Sequence, residues 1–155
     1  MARITDINHL LFKVELHPIF TELEINGKKS KIEVPNNKIV VNSKSGKPLG
    51  VVSNTYKLIT NHEALELGRK CAVEVFGTAE ADNIEIFNVD APSTASYCHI
   101  DLVHKVHVMN LWDEEKQSDV YVPYIRITNS YNTTRALRFD IGFCRKIWLY
   151  VKYRG

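Results

Sequence analysis

The run FTELEINGKKSKIEV, Phe20–Val34, decides the fold class. Polar and apolar residues alternate on both sides of Asn26-Gly27. Alternation puts one set of side chains on each face of an extended chain. Asn-Gly between two such runs is a strong hairpin signal, because a two-residue type I′ turn needs positive φ at both central positions. The next run, NKIVVNSKSGKPLGVVSNTYKLI, repeats the theme. Lys38–Asn42 reads as a strand, Ser45-Gly46-Lys47 as the turn and Pro48–Ser53 as the return, with extended chain over Tyr56–Ile59.

One helix interrupts the strands. Thr60-Asn61-His62-Glu63 has capping-box spacing, in which the hydroxyl takes up a free amide at the helix start. Behind it Ala64, Leu65, Leu67, Cys71, Ala72 and Val75 lie roughly along one face, and Gly77 supplies a C-terminal stop. The helix is expected over Asn61–Phe76. Strand composition returns in NIEIFNV, ASYCHIDLVHKVHVM, VYVPYIRIT and RALRFDIGF, with the charged loop Asp113–Asp119 between. KIWLYVKY reads as a last strand, by its β-branched and aromatic content. Strands, one helix, then strands define an α+β fold with a mostly antiparallel sheet, β-hairpins and one main helix. At 155 residues a single domain spanning 1–155 is expected.

The composition is that of a soluble globular chain, 45% apolar and 25% charged. No run approaches the about 20 apolar residues of a membrane helix, and the N-terminus does not read as a signal peptide, so a cytoplasmic location is expected. Cys71, Cys98 and Cys144 are scattered without a C-x-x-C pair, as buried reduced thiols are.

The net charge of +2 is unevenly spread. Residues 123–155 hold Arg126, Arg135, Arg138, Arg145, Lys146, Lys152 and Arg154 against Asp140 alone, a local +6, and residues 1–122 hold −4. A basic segment on a mildly acidic body suggests a polyanionic or acidic partner, with solvated strand faces as the competing explanation. From Arg135 the alternation assigns Leu137, Phe139, Ile141 and Phe143 to the core and turns Arg138 and Asp140 outward. Upstream, Tyr124, Arg126, Thr128 and Ser130 share a face. If the two strands pair, Arg126 and Arg138 come near each other and Tyr131 and Asn132 fall in the connecting loop. Arginines with hydroxyl and amide donors form a phosphate-contact set, and an aromatic at the loop tip offers a stacking surface for a base. The candidate binding residues are Arg126, Thr128, Tyr131, Asn132, Arg135, Arg138, Arg145 and Lys146. The competing explanation is a polar hairpin loop turned by Asn132.

His99 and Asp101 share strand parity with His107, a weak candidate metal set beside the alternative of polar strand-face histidines. Ser96, Cys98 and Cys144 lack any nucleophile signature, and no glycine-rich phosphate loop precedes a helix. No cofactor is expected.

GKPLGVVSNTYKLITNHEAL, followed much later by PYIRITNSYNTTRALRFDIGFCRK, resembles a bacterial and viral family of uncharacterised proteins, the phage/plasmid-like proteins catalogued as domain of unknown function nine-three-two. The resemblance runs from roughly Phe20 to Lys146. It is carried by Leu49-Gly50-Val51-Val52, Tyr56, the Asn61–Leu65 helix start and the block from Asn129-Ser130 to Arg145. It implies a mobile element in a bacterial host cell and assigns no catalytic residue. Family members continue beyond the arginine that Arg145 matches, so the resemblance implies a domain shortened at its C-terminus. The apolar run Ile147–Tyr153 reads as a final core strand, with a homo-oligomer or partner surface as the alternative.

Three functions follow as expectations. The first is a non-enzymatic binder of nucleic acid, single-stranded in particular, or of a nucleoprotein complex, acting through the basic hairpin. The second is a protein-binding inhibitor of a host defence complex, of the anti-CRISPR kind. The third is a metal-dependent hydrolase using His99, Asp101 and His107. A membrane partner is not expected.

Overall fold

The computed structural model describes residues 2–77, 83–104, 109–110 and 120–145. Within them lie β1 (Arg3–Ile4), a 3-10 turn (Ile7–His9), β2 (Val14–Ile25), β3 (Lys28–Asn42), β4 (Pro48–Ser53), α1 (Asn61–Phe76), β5 (Ile84–Pro92), β6 (Tyr97–His104), β7 (Met109–Asn110), β8 (Val120–Ser130) and β9 (Arg138–Arg145). The α+β class and its antiparallel sheets are as the alternation predicts. The charged loop and the closing KIWLYVKY strand lie outside the described residues, as do His107 and Lys146.

The first hairpin turns where Asn26-Gly27 dictates. Both residues have positive φ, 54° and 76°, and Ile25 pairs with Lys28 across the two-residue loop. β2 and β3 then run far beyond the predicted segments, slipping register between Pro18 and Phe20. A bulge there lets proline sit in a strand without breaking a ladder bond. β4 pairs only with the Asn37–Val41 half of β3, so the small sheet has order β2-β3-β4 and the far end of the β2–β3 hairpin is a two-stranded arm. Tyr56–Ile59, expected to be extended, joins no ladder and links β4 to the helix.

The helix forms over the predicted residues. Thr60 Oγ1 accepts the Glu63 amide at 3.1 Å, and Gly77 closes the helix in the left-handed region at φ 66°. α1 lies over β5, β6 and β8 of the larger sheet, an antiparallel array ordered β1-β5-β6-β8 with β7 and β9 also on β8. Ala64, Leu65, Ala72 and Phe76 meet Ile100, Leu102, Ile125 and Ile127 in the main core. Gly68 brings helix and sheet together: a Cβ there would press into Ile127.

β9 corrects the expected core. It begins at Arg138, which leaves Arg135 in the connection from β8. Leu137 and Phe139 do pack against the main core, but Ile141 is 58% exposed and Phe143 49% exposed among the described residues. The helix lies over β5, β6 and β8, so the distal half of this outer strand has no described element above it.

The two sheets meet at a second, smaller core. Val40, Leu49 and Val52 pack there with Tyr131, which follows β8. Gly50 permits the approach, since a Cβ would collide with backbone atoms of Tyr131 and Asn132. Gly50→Ala is therefore expected to destabilise the protein by about 3 kcal/mol, because backbone has no cheap way to yield. Gly68→Ala is expected to lose less, about 1 kcal/mol, because Ile127 can change rotamer and alanine favours helix. Urea unfolding of both variants measures the order.

Candidate nucleic-acid interface

The face of the large sheet turned away from α1 carries the polar residues that alternation predicted on β6, β8 and β9, and adds Asn88 and Asp90 of β5, in registered rows. Asp90 pairs with His99, His99 with Thr128 and Thr128 with Arg138. The next row is Asn88, Asp101, Arg126 and Asp140. Beyond it Phe87, Val103, Val122 and Tyr124 form an apolar cluster, with the Tyr124 ring lying over Gly142. No helix covers this face among the described residues.

At its centre Asp101 is fully buried. Arg126 grips it in a two-pronged salt bridge of 2.8 and 2.9 Å, and Asn88 Nδ2 donates to the same carboxylate at 3.0 Å. The paired planar geometry is the strong form of this interaction. The hydrogen bond to Asp101 raises the Arg126 pKa further, against the opposing effect of burial. The outer pairs are more exposed. Arg3 grips Asp90, whose carboxyl is held below its ordinary range first by that hydrogen bond. Arg138 Nε binds Asp140 at 2.7 Å. Arg126 and Arg138 are thus diagonal neighbours on one face, as expected, but each already holds a carboxylate.

The remaining predicted residues separate sharply. Thr128 is buried and within 3.0 Å of His99 Nδ1. Tyr131 is not at a loop tip. It is 1% exposed, its hydroxyl accepts the Asn61 amide at 2.7 Å, and burial raises its pKa. No face of its ring is available to a base. Asn132 makes the turn, its Oδ1 accepting the Thr134 amide at 3.1 Å and the Thr134 hydroxyl. Arg135 is exposed, and its guanidinium lies over the Tyr97 ring with Cζ 4.6 Å from the centroid. Of the arginines on this face it is the one without a carboxylate among the described residues. Arg145 closes β9, and its side chain and Lys146 lie outside the described residues.

Tyr97 was not a predicted site residue, although it shares parity with His99. Its ring meets the His99 ring edge-on at 6.0 Å. Arg135, Tyr97 and His99 therefore lie side by side, the guanidinium over the tyrosine ring and the two rings tilted by 69°. The signal that pairs Arg135 with Tyr97 is the strand register, which local sequence does not carry.

As a metal set, His99 and Asp101 do share a face, but Asp101 is committed to Arg126 and Asn88. Among the described residues no group of three or more His, Cys, Asp or Glu is placed to hold a metal ion. Cys98 is buried against Asn61, and desolvation pushes its thiol up to about 12, which leaves it protonated and a poor nucleophile at neutral pH. Comparisons with protein-family models, with curated proteins and with solved structures found no match.

Two outcomes follow. Arg126→Ala leaves Asp101 buried with only Asn88 as a side-chain partner. Loss of up to about 3 kcal/mol is expected, the lower end for a broken buried pair because Arg126 is 38% exposed. Asp101→Asn added to Arg126→Ala recovers much of it; chemical denaturation of the single and double variants measures the coupling.

His99 is held below the ordinary imidazole pKa, first by burial and then by Arg126 and Arg135, which outweigh Asp90 and Asp101. As pH falls, the unfolded chain therefore takes up this proton first, at about 6.5. The stability associated with neutral His99 is present above that pH and is lost as pH falls towards the folded value. His99→Gln should flatten this part of the stability curve as pH falls below about 6.5, read as the difference from the parent chain.

Proposed function

We propose that this chain is a non-enzymatic protein of a phage or plasmid, and that it binds single-stranded nucleic acid on the face of its large sheet turned away from α1. The mobile-element setting rests on the family resemblance. The binding reading is supported most by one observation: Arg135, exposed and without a carboxylate partner among the described residues, lies over the Tyr97 ring beside His99 at the edge of that face. A guanidinium over an aromatic ring presents both a phosphate donor and a flat apolar surface. Unpaired bases stack on such surfaces irrespective of sequence, whereas a duplex hides its bases from a flat sheet. Arg138 and Arg3 flank this corner, and their exposed carboxylate pairs are weak enough for phosphate to compete with them. The proposed interface thereby joins Arg135 of the β8–β9 connection to Tyr97 and His99 of β6.

The second reading, a protein-binding inhibitor of a host defence complex, is favoured by the β2–β3 arm. One side of the arm carries Glu22, Glu24, Lys29 and Lys31 as opposed charges across the strands. The other side exposes Leu23, Ile25 and Ile32. An isolated two-stranded ribbon is marginal in water, and an apolar side of this kind suits a protein partner.

Fluorescence anisotropy with a labelled oligonucleotide single strand tests the first reading and separates it from the second. Affinity should fall with salt at about 0.7 in log–log slope per phosphate contacted, and Arg135→Ala and Arg138→Ala should each reduce that slope by about one contact. Leu23→Ser with Ile25→Ser should leave it unchanged. Absence of salt-sensitive binding at low ionic strength removes the nucleic-acid reading and leaves the arm as the surface to pursue.

A further inference from the structure

Where the two sheets meet, a groove of about 410 Å³ opens between the β3–β4 turn, the 3-10 turn and the β5–β6 turn. Its polar lining is His9, Asn42, Ser45, Lys47, Ser93 and Thr94, and no carboxylate lines it among the described residues. Its apolar wall includes Phe12, Leu49 and Ala95. The volume is that of a small-molecule site, and the division into an apolar wall and a few convergent polar groups is what such sites share.

The donors are held in place by the turn. Asn42 Oδ1 accepts the amides of Lys44 and Ser45 at 3.0 and 3.3 Å, which leaves its Nδ2 as the donor end. Ser45 Oγ accepts the Lys47 amide at 3.3 Å, so its hydroxyl proton is free to point elsewhere. Ser43 Oγ ties the turn to the Lys13 carbonyl at 2.8 Å. Across the groove, Thr94 Oγ1 and Ser96 Oγ lie 3.1 Å apart in the β5–β6 turn, and the turn is closed by Ala95 at a positive φ of 56°. One ammonium, one imidazole, hydroxyls and an amide, with no opposing acid among the described residues, form a site for a compact anion. The Phe12 and Leu49 wall adds a surface for a flat apolar body.

We infer that this groove binds a nucleoside phosphate monoester, with the phosphate on Lys47, His9 and the turn hydroxyls and the base against Phe12 and Leu49. The ester can be a free mononucleotide or the phosphorylated end of a strand. The inference does not rest on the sheet-face reading, since neither Lys47 nor His9 lies on that face.

Amide chemical-shift titration of the full chain tests it, with adenosine 5′-monophosphate, adenosine, inorganic phosphate and a 5′-phosphorylated trinucleotide as probes. The monophosphate should saturate with shifts centred on His9, Ser45, Lys47 and Thr94, and more tightly than either adenosine or phosphate alone. Lys47→Ala, an exposed position, should weaken it about tenfold, while Lys47→Arg retains binding and adenosine is unaffected. Tighter binding of the trinucleotide at the same amides identifies a strand end as the source. Equal or weaker binding identifies the free mononucleotide. No saturable shift at millimolar monophosphate, shifts centred elsewhere, or an unchanged affinity in Lys47→Ala overturns the site.

Discussion

The first amide of α1 has no partner within its own helix, and the hydroxyl of Tyr131 takes it up at 2.7 Å. Much of the architecture meets at this bond. Asn61, the residue that donates it, also reaches the Leu10 carbonyl at 3.0 Å through its side chain. Its Oδ1 receives Asn129 Nδ2 at 2.9 Å and the Cys98 thiol at 3.4 Å. Asn129 Nδ2 also reaches the Ile59 carbonyl at 3.0 Å, and the Tyr131 amide donates to Ser96 at 2.7 Å. The helix start, β6, the end of β8 and the N-terminal segment are thus tied within one buried network. Among the described residues no buried side-chain polar atom lacks a partner. Because an unpaired buried polar group is expensive, such a network fixes where each element must stop. The Tyr131 ring belongs to the small-sheet core, so the same residue joins the two sheets.

A second constraint shapes the candidate surface. Asp101 sits in the middle strand with no access to water, which makes Arg126 a structural counter-ion before it can be a ligand donor. The buried pair favours this register of β6 against β8, since a one-residue slip would turn the carboxylate towards α1 and leave it unpaired. Basic composition therefore overstates the charge available for a partner. Among the described residues, three of the four arginines on the face are engaged with aspartates, and Arg135 lies over Tyr97 instead. The block from Asn129 to Arg145 has an architectural role independent of any ligand, through Asn129, Tyr131 and the turn at Asn132.

Local rules were legible wherever a local cause suffices. Asn26-Gly27 specifies its turn through two positive φ values, and Thr60 with Gly77 bounds the helix through its caps. The strand content of the first hairpin follows from alternation, and that of β5 and β6 from composition. What alternation could not give is which side of a strand another element covers. It assigned Ile141 and Phe143 to a buried face correctly in parity and wrongly in depth, because the helix lies over β5, β6 and β8. It placed Tyr131 in a loop without revealing that the loop folds inward against Gly50. The groove around Lys47 was likewise invisible, since its walls come from three turns far apart in the chain.

By itself, then, the sequence determined the class, the two hairpins, the main helix and the alternation of polar and apolar residues along several strands, because these depend on contacts among near neighbours. Tertiary structure alone decided which arginine meets a carboxylate and which meets a ring, which tyrosine is buried, and where a groove opens between sheets. Those outcomes depend on strand register and on the approach of distant segments, and a residue's partner across a sheet is set by the fold rather than by the residues beside it in the chain.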